Sequence, residues 1–539
     1  MQVPNSEILT DGFEALKSGD LDSAERIFAS IVQSNSKNAQ AWGVLSIIAT
    51  MKGMADVGLE RAKIAHNADR KNPTYLNAMG VAYGELGELN NARLALERSI
   101  KLLPTYVEAH YNLGKVLFKM ERYDTSELSY SRAYNLDPRY PGVAFNLGYC
   151  KRVLRKYDAA RIYFEKCLEI NPADEDAKIQ LSELNGVNLS DDDYEEHLKS
   201  EILINTGLPA LHERLALFYL RRGDFDKGWF QYQYRTGLAR SVLDRRFSVP
   251  LEPLPSQLIG VRVLVKSEQG LGDIVFFSRF MRYLVERGAV VSFAVPSKLM
   301  SVLKRWQCDI NLVDLASLGE SKVDCELSVW LGDLPYLLGA VGVTPSIEFA
   351  ADELLVDRWR RKLQEIGPGP YLGLTWRSGT DARRSREFDV LVDPNRAFSK
   401  RVPLGSFAKA VSEWPGTYVS IQRRPYDEEV LELEQRLKSP IIDCSSVNDD
   451  LSEAVALLQC LDEYVCVSNT NLHLRTCLGL GGRVLLAEDE FRWMEHVQVS
   501  PWFPLWGIYR KNLKDTDVWG ESVDRLRRDL LGSTVTLRK

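Results

Sequence analysis

Long apolar runs and cysteine pairs at metal-ligand spacing are both missing from this sequence of 539 residues. No stretch approaches the roughly 18 consecutive apolar residues of a membrane-spanning helix. The first twenty residues have neither the basic region nor the apolar region of a signal peptide. The eight cysteines form no CxxC pair and no cluster with histidine. These absences predict a protein of the reducing cytoplasm with no membrane span and no cysteine-bound metal.

An excess of one charge is lacking as well. The chain has 68 basic and 74 acidic residues, which leaves a formal charge of -6. Such a balance gives no overall attraction to nucleic acid. With 45% hydrophobic and 26% charged residues the composition is that of a soluble globular protein. Because the chain is much longer than one core needs, two or three domains are expected.

What the sequence does contain, in its first third, is a repeat of 34 residues. Three glycines and three prolines are each spaced by this interval: Gly80, Gly114 and Gly148, and Pro104, Pro138 and Pro172. A glycine in the first helix of each unit lets the second helix approach closely, and the proline ends the unit because it cannot continue a helix. Bulky residues at matching positions are expected to fill the space between successive helix pairs: Leu96, Tyr130 and Phe164.

The segments around these marks resemble tetratricopeptide repeats, whose period is about 34 residues. We predict about five repeats in residues 5–174 and a capping helix that completes an array of residues 5–184. Stacked repeats form a concave groove, and the functional interpretation of this groove is recognition of a protein or peptide. Self-association or simple scaffolding is the alternative.

A second pattern follows a helical connector, residues 185–255, that ends in the proline-rich run from Val249 to Pro255. Short strand-like runs, such as the β-branched VRVLVK and the later YLGLTW, then alternate with segments of helical period. This alternation predicts parallel sheets covered by helices, in two lobes at residues 256–350 and 351–539. The predicted fold class is an α-solenoid followed by an α/β module of two Rossmann-like lobes. Ligands are expected in the cleft at the carboxyl ends of the strands.

Seven short motifs occur in a characteristic order, from the connector to the last strand: GDFDKGW, EQGLGD, GLTWRSG, KRVPL, VSIQ, SNTNLHL and SPWFP. In this order they resemble bacterial proteins that fuse tetratricopeptide repeats to a heptosyltransferase-related domain of the two-lobed GT-B fold. The resemblance implies a glycosyltransferase that moves a sugar from a nucleotide-sugar to Ser or Thr of a protein held by the repeats. It also implies flagellin as acceptor and a nonulosonic acid as the donor sugar. The nucleotide-sugar is a substrate, and no cofactor is expected.

Asp273 lies in the loop between a buried strand and the helix that follows it, beside Gly270 and Gly272. The two glycines would allow positive φ angles and close approach of the backbone to a ligand. The resemblance implies that Asp273 is the general base, which takes the proton of the attacking acceptor hydroxyl. The alternative is that Asp273 only caps the helix.

A second polar segment opens a later helix after the strand EYVCVS: Ser468, Asn469, Thr470, Asn471 and His473. Free amides at a helix N-terminus suit a phosphate or diphosphate. Ordinary capping and a structural histidine are the alternatives. The sequence departs from the family pattern at Asn469, where Asp is usual, and at Arg475, where a small residue is common. Arg475 is expected to add an anion clamp. These departures leave open an altered donor, such as a nucleoside monophosphate carrier, or loss of catalysis.

Further donor-site residues are predicted at two strand ends, namely Arg377, Ser378 and Gln422, and just before a helix that begins near Pro403, namely Lys400 and Arg401. Cations in the cleft would stabilise the negative charge of the departing nucleotide without a metal ion. Gln422 is expected to contact the base or ribose. The charged run of residues 381–400 is either a lid or a solvated loop.

Two other functions remain open at the level of sequence. One is transfer to a lipid or polysaccharide, as in true heptosyltransferases, for which the repeats are superfluous. The other is a non-catalytic interaction protein with a decayed transferase fold, which the departures at Asn469 and Arg475 permit.

Overall fold

The computed structural model describes residues 5–319, 323–378, 400–425, 427–487, 490–495, 497–512 and 517–537. The run of residues 381–400 therefore lies outside the described residues except for Lys400. The chain divides between Leu189 and Ser190 into two compact units. Each unit is described by itself.

The first unit consists of helices that pack in successive pairs. Their bounds are α1 (Asn5–Lys17), α2 (Leu21–Ser34), α3 (Ala39–Met51), α4 (Ala55–Ala68), α5 (Pro73–Glu85), α6 (Leu89–Leu102), α7 (Val107–Lys119), α8 (Tyr123–Leu136), α9 (Val143–Val153), α10 (Tyr157–Ile170) and α11 (Glu175–Gly186). Pairs α1/α2 to α9/α10 are the five predicted units, and α11 follows them. The three repeat prolines each lie two residues beyond the end of a helix, namely α6, α8 and α10.

The repeat glycines permit close helix packing, as the sequence suggests. A Cβ atom added to Gly80 would lie 2.5 Å from Leu96 Cγ, and one added to Gly114 would lie 2.6 Å from the Tyr130 ring. The bulky partner thus belongs to the same helix pair as its glycine. Leu96 also belongs to a hydrophobic cluster with residues of α7 in the next pair, in agreement with the expectation that these bulky side chains fill the space between successive pairs.

The second unit begins with the connector helices α12 (Asp191–Ile204), α13 (Pro209–Arg222), α14 (Phe225–Tyr232) and α15 (Arg240–Ser248). A parallel sheet of order β3-β2-β1-β4 follows. Its strands are β1 (Arg262–Lys266), β2 (Val290–Val295), β3 (Ile310–Asp314) and β4 (Leu327–Trp330). Its helices are α16 (Leu271–Phe277), α17 (Met281–Glu286), α18 (Ser297–Leu303) and α19 (Leu334–Leu337).

A second parallel sheet has the order β10-β9-β8-β5-β6-β7. Its strands are β5 (Tyr371–Thr375), β6 (Thr417–Ser420), β7 (Ile441–Asp443), β8 (Glu463–Val467), β9 (Gly482–Leu486) and β10 (Trp506–Arg510). The helices are α20 (Glu353–Ile366), α21 (Leu404–Val411), α22 (Asp427–Leu437), α23 (Leu451–Cys460), α24 (Thr470–Cys477) and α25 (Gly520–Leu537). Strand β8 is buried along its whole length, as expected for a central parallel strand covered on both faces. The prediction of two Rossmann-like lobes is confirmed.

The connector shares a hydrophobic core with the first sheet. Trp229 of α14 is 1% exposed, and its ring contacts those of Phe277 and Phe280 at 6.1 Å. The indole N–H of Trp229 donates to the carbonyl oxygen of Val341 at 2.9 Å. These contacts join the connector to the α/β module rather than leaving it as a free linker. In the part of the chain that the structure describes, no helix is long and apolar enough to cross a membrane.

Candidate functional site

A cavity of about 240 Å³ lies in the second unit, where strand ends of both sheets meet. Its walls follow the carboxyl ends of β1 in the first sheet and of β5, β6 and β8 in the second. This is where doubly wound sheets bind ligands. The lining residues are Gly270, Leu271, Gly272, Asp273, Thr375, Arg377, Ser378, Lys400, Ile421, Arg423, Asn448, Ser468, Asn469, Thr470, Asn471, His473 and Arg492.

All but three of the predicted site residues line this cavity, and the exceptions are Arg401, Gln422 and Arg475. The cavity also contains residues that the sequence did not single out, chiefly Arg423 and Arg492. The fold therefore brings the two predicted polar segments together. The individual roles of these residues stay predictions.

Asp273 is not the cap of its helix. Helix α16 begins at Leu271 with Gly270 as its N-cap, so Asp273 lies within the first turn. Its side chain is 35% exposed and its carboxylate contacts the guanidinium of Arg492. Capping therefore does not explain this carboxylate.

The two glycines of the loop differ from expectation. Neither is among the residues with positive φ, and Gly270 is extended, with φ -64° and ψ 156°. A Cβ atom at Gly272 would lie 3.0 Å from the His473 ring and 3.4 Å from Thr470 Cα. Gly272 thus lets helix α16 approach helix α24, which narrows the cavity between the two lobes. This close approach accounts for Gly272 without a ligand.

Arg492 lies in a short helical turn after β9 and lines the cavity together with Asp273. One arm of its guanidinium contacts Asp273, and another reaches Glu490 Oε2 at 3.4 Å. The group stacks over the Phe276 ring at 4.8 Å. Burial lowers the pKa of Arg492, but the charges of Asp273 and Glu490 outweigh it and shift the pKa upward. Arg492 is therefore a cation. An arginine between Phe491 and Trp493 in a strand-end loop is the signal that could have identified it.

Glu490 connects the cations of the second lobe. Its Oε1 lies 3.2 Å from Lys400 Nζ, and its Oε2 accepts a hydrogen bond from Ser468 Oγ at 3.0 Å. With Arg492 this makes a chain of alternating charges along one wall. The carboxylate of Glu490 thus occupies partners that a bound anion could use instead.

Asn469 caps helix α24, so the capping alternative is correct for this residue. Its Oδ1 accepts from the Leu472 amide at 3.0 Å, and its Nδ2 donates to the Val467 carbonyl oxygen at 2.9 Å. The Asn469 side chain caps the amide of Leu472. The backbone amides of Thr470 and Asn471 lie at the start of the helix, beside the cavity. Amides in the first turn of a helix, with the helix dipole behind them, attract anions.

His473 lines the cavity and is also buried, at 4% exposure. Its ring packs edge-on against Phe503 at 5.4 Å. Burial lowers its pKa well below the usual value, and the nearby cations Arg492, Arg279 and Lys400 lower it further. The imidazole is therefore neutral at physiological pH.

Arg475 does not reach the cavity, so the expected anion clamp is wrong for this residue. Its guanidinium donates to three carbonyl oxygens, those of Leu458 at 2.5 Å, Gly481 at 2.6 Å and Leu461 at 3.2 Å. Two residues along a helix rotate the side chain by about 200°. Arg475 consequently points away from the face that presents His473 and ties α24 to the segments behind it.

Two other predicted residues support the strand ends rather than the cavity. Gln422 is 1% exposed, and its Oε1 accepts from the amides of Trp376 at 3.1 Å and Arg377 at 3.0 Å. The expected contact of Gln422 with a base or ribose is therefore not available to that oxygen. Arg401 forms an antiparallel bridge with Arg377.

The side chain of Arg377 lines the cavity, but its guanidinium binds other groups of the protein. It pairs with both oxygens of Glu429, at 3.0 and 3.2 Å from Nε, and donates to the Arg424 carbonyl oxygen at 2.8 Å. Its charge is thus offset locally. Lys400, Arg423 and Arg492 are the other cations in the lining. Within the described ranges, no three His, Cys, Asp or Glu residues are grouped to hold a metal ion.

Comparison with known proteins agrees with the first unit and reaches into the second. A TPR repeat model matches residues 80–121, and a tetratricopeptide repeat model matches residues 107–140 and 142–174. The helix pairs of the first unit are tetratricopeptide repeats. Protein FlbA of Caulobacter vibrioides is 25% identical over 312 residues, which cover 54% of this chain and 50% of that protein. The chain thus spans about half the length of this relative.

Solved structures show similarity over a smaller part of the chain. The crystal structure of MamA is 25% identical and covers 29% of this chain and 92% of its own, with a TM-score of 0.26. A thermophilic TPR protein of Thermus thermophilus is 20% identical and covers 34% of this chain and 98% of its own, with a TM-score of 0.31.

Proposed function

We propose that the protein is a glycosyltransferase that moves a sugar from a nucleotide-sugar to a Ser or Thr hydroxyl of a protein. The observation that carries this proposal is the composition of the cavity. A carboxylate of the first lobe, Asp273 on helix α16, shares the cavity with the cations and the helix N-terminus of the second lobe. A base for the acceptor and a binding site for an anionic leaving group are the two requirements of the reaction.

The donor site is the wall formed by the start of α24 and the cations. Lys400, Arg423 and Arg492 carry charge that complements a phosphate or diphosphate, and the first-turn amides of α24 add donors. As the bond from the anomeric carbon to the phosphate oxygen breaks, the electron pair leaves with the nucleotide. Groups fixed in advance around that oxygen stabilise the developing charge. A nonulosonic acid donor would bring a second anion, its sugar carboxylate, to the same cations.

The acceptor site is the open side of the cavity next to Asp273. In the proposed reaction the hydroxyl oxygen forms the new bond to the anomeric carbon, and its proton passes to the Asp273 carboxylate. The partial exposure of this side chain is consistent with access of an acceptor. The tetratricopeptide repeats support a protein as acceptor, because such arrays present binding surfaces for peptides and proteins. Flagellin is the acceptor that we propose first.

The test is transfer of labelled sugar by the purified full-length chain. A lysate from cells that lack the gene supplies acceptors, and labelled nucleotide-sugars linked to UDP, GDP or CMP are tested in turn. With one donor, we expect the wild type to label the protein fraction. Asp273→Asn should reduce the labelling by roughly 100-fold or more, because it removes a general base. Asp357→Asn is the matched control, since Asp357 is exposed on α20 and outside the cavity.

Each other outcome identifies a different function. Equal labelling by wild type and Asp273→Asn would remove Asp273 from the mechanism. Label in the lipid or polysaccharide fraction would instead favour a heptosyltransferase-like enzyme. Nucleotide binding without labelling by any donor would favour the non-catalytic scaffold.

A further inference from the structure

The contact between Asp273 and Arg492 has a consequence for when the proposed base can work. The Asp273 carboxylate contacts a guanidinium that is only 10% exposed. The oxygen atom Oδ1 of Asp273 is occupied by this contact. With Arg492 in this position, that oxygen is not open to the hydroxyl of an acceptor.

Arg492 is held where it can exchange partners. Its contacts are Asp273 on one side and Glu490 on the other, both of them carboxylates that line or adjoin the cavity. The buried Nε of Arg492 has no hydrogen-bond partner among the residues that the structure describes. A buried donor without an acceptor destabilises this arrangement of the side chain. A phosphate, with several acceptor oxygens, can engage more of this guanidinium than one carboxylate oxygen does.

The surroundings keep Arg492 in the cavity while its partners change. The guanidinium lies over the rings of Phe276 and Phe491, at 4.8 and 5.1 Å. Phe276 belongs to the same helix as Asp273, one turn further along. Arg492 can therefore turn from Asp273 toward a ligand at the start of α24 without leaving its aromatic support.

We propose that Arg492 is a positioning residue that couples donor binding to release of the base. The anionic group of the nucleotide-sugar competes with Asp273 for the guanidinium and, once bound, leaves the carboxylate available to the acceptor. This inference rests on the proposed function. It predicts that the donor binds before the acceptor is activated, so that the carboxylate stays engaged in the empty protein.

The test is a double-mutant cycle on anion binding, which needs no turnover. Binding of inorganic pyrophosphate to the full-length protein is measured by calorimetry for the wild type, Asp273→Asn, Arg492→Gln and the double variant. Asp273→Asn should tighten binding by about ten-fold, since a charged hydrogen bond no longer competes for Arg492. In the Arg492→Gln background the same substitution should change binding by less than about two-fold.

A simple electrostatic effect gives a different result. If Asp273 only repelled the anion, Asp273→Asn would tighten binding equally with and without Arg492, and the cycle would be additive. Either an additive cycle or no effect of Asp273→Asn would overturn the inference. Arg492→Lys keeps the charge, and we expect it to restore part of the coupling; circular dichroism confirms that each variant is folded.

The outcomes separate this inference from the proposed function. If the wild type binds pyrophosphate and the cycle is additive, only the coupling is wrong. If the wild type binds neither pyrophosphate, UDP nor CMP, the donor site and the proposed function both fail, and the coupling fails with them. A coupled cycle without any sugar transfer would support an anion-sensing site and contradict the enzyme.

Discussion

The two units of this protein differ in how deeply their arginines are buried. In the repeats, ion pairs such as Arg61 with Glu25 stay partly exposed, at 23% and 24%. In the second unit several arginines are buried, among them Arg235, Arg279, Arg475 and Arg492. Burial of a charge destabilises the folded state unless charged or polar partners compensate for the lost hydration. A hydrophobic core can form without buried charges. This contrast indicates that the repeats are held by size-matched packing, whereas the α/β module uses buried arginines to fix loops around the cavity.

The largest expected effect comes from breaking the buried cluster around Arg235. This side chain is 1% exposed and binds Asp333 at 2.6 Å and Glu268 at 3.1 Å, in the loop that leads to Asp273. Arg235→Met should destabilise the second unit by about 3–5 kcal/mol, because the buried Glu268 loses its cation and Asp333 keeps only Arg246. Hydrogen exchange, followed separately for peptides of each unit, measures the loss.

The matched control for this variant lies in the repeats. Arg61→Met removes one arginine from a partly exposed pair and should cost about 1 kcal/mol or less. Equal losses for Arg235→Met and Arg61→Met would contradict the contrast between the units.

A smaller effect is expected from the packing in the repeats. Gly114→Ala adds a Cβ atom 2.6 Å from the Tyr130 ring, which has to shift inside a filled helix pair. We expect a loss of about 1–3 kcal/mol in the first unit, measured by hydrogen exchange of α7 and α8. Gly532→Ala is the control, because its added Cβ would have nothing within 4 Å, and it should raise stability slightly. A stabilised Gly114→Ala variant would refute the packing explanation.

The smallest effect is a pH dependence from His473. The lowered pKa of this histidine means that the unfolded chain binds a proton at a higher pH than the folded chain does. Its contribution to stability is therefore present above the unfolded pKa of about 6.5 and falls as the pH drops below that value. His473→Gln should flatten the dependence below pH 6.5, by at most about 1.4 kcal/mol per pH unit, which is the limit for one proton. An unchanged slope in denaturant titrations at several pH values would show that His473 does not titrate in this way.

The difference between the units also explains which parts of the structure can be predicted from the sequence. The repeats are built from contacts within and between neighbouring helix pairs. Because each pair recurs after 34 residues, this period in the sequence is enough to predict the repeats. The strands of the α/β module are short buried runs, and their alternation with helices was enough to predict two parallel sheets. For both units, the fold depends on patterns that are close together in the chain.

The candidate site is harder to predict from the sequence, because its residues come from segments that are far apart in the chain. Asp273 and Asn469 were found at strand ends, but the pairing of Asp273 with Arg492 spans 219 residues and leaves no local pattern. The error at Arg475 has a different origin, the phase of a helix that turns its side chain away from the cavity. The position of Gln422 at a strand end predicts a ligand contact, yet its side-chain oxygen accepts hydrogen bonds from the amides of the neighbouring strand end.

Intact-mass measurement of cellular proteins decides whether the cavity around Asp273 transfers sugar to a protein. Candidate acceptors, flagellin first, are compared from cells that carry the wild-type gene, no gene, or the Asp273→Asn variant. We predict an acceptor that is heavier by the mass of one or more sugars in the wild type and unmodified in the other two strains. An acceptor of the same modified mass in wild-type and Asp273→Asn cells would contradict the proposed transfer.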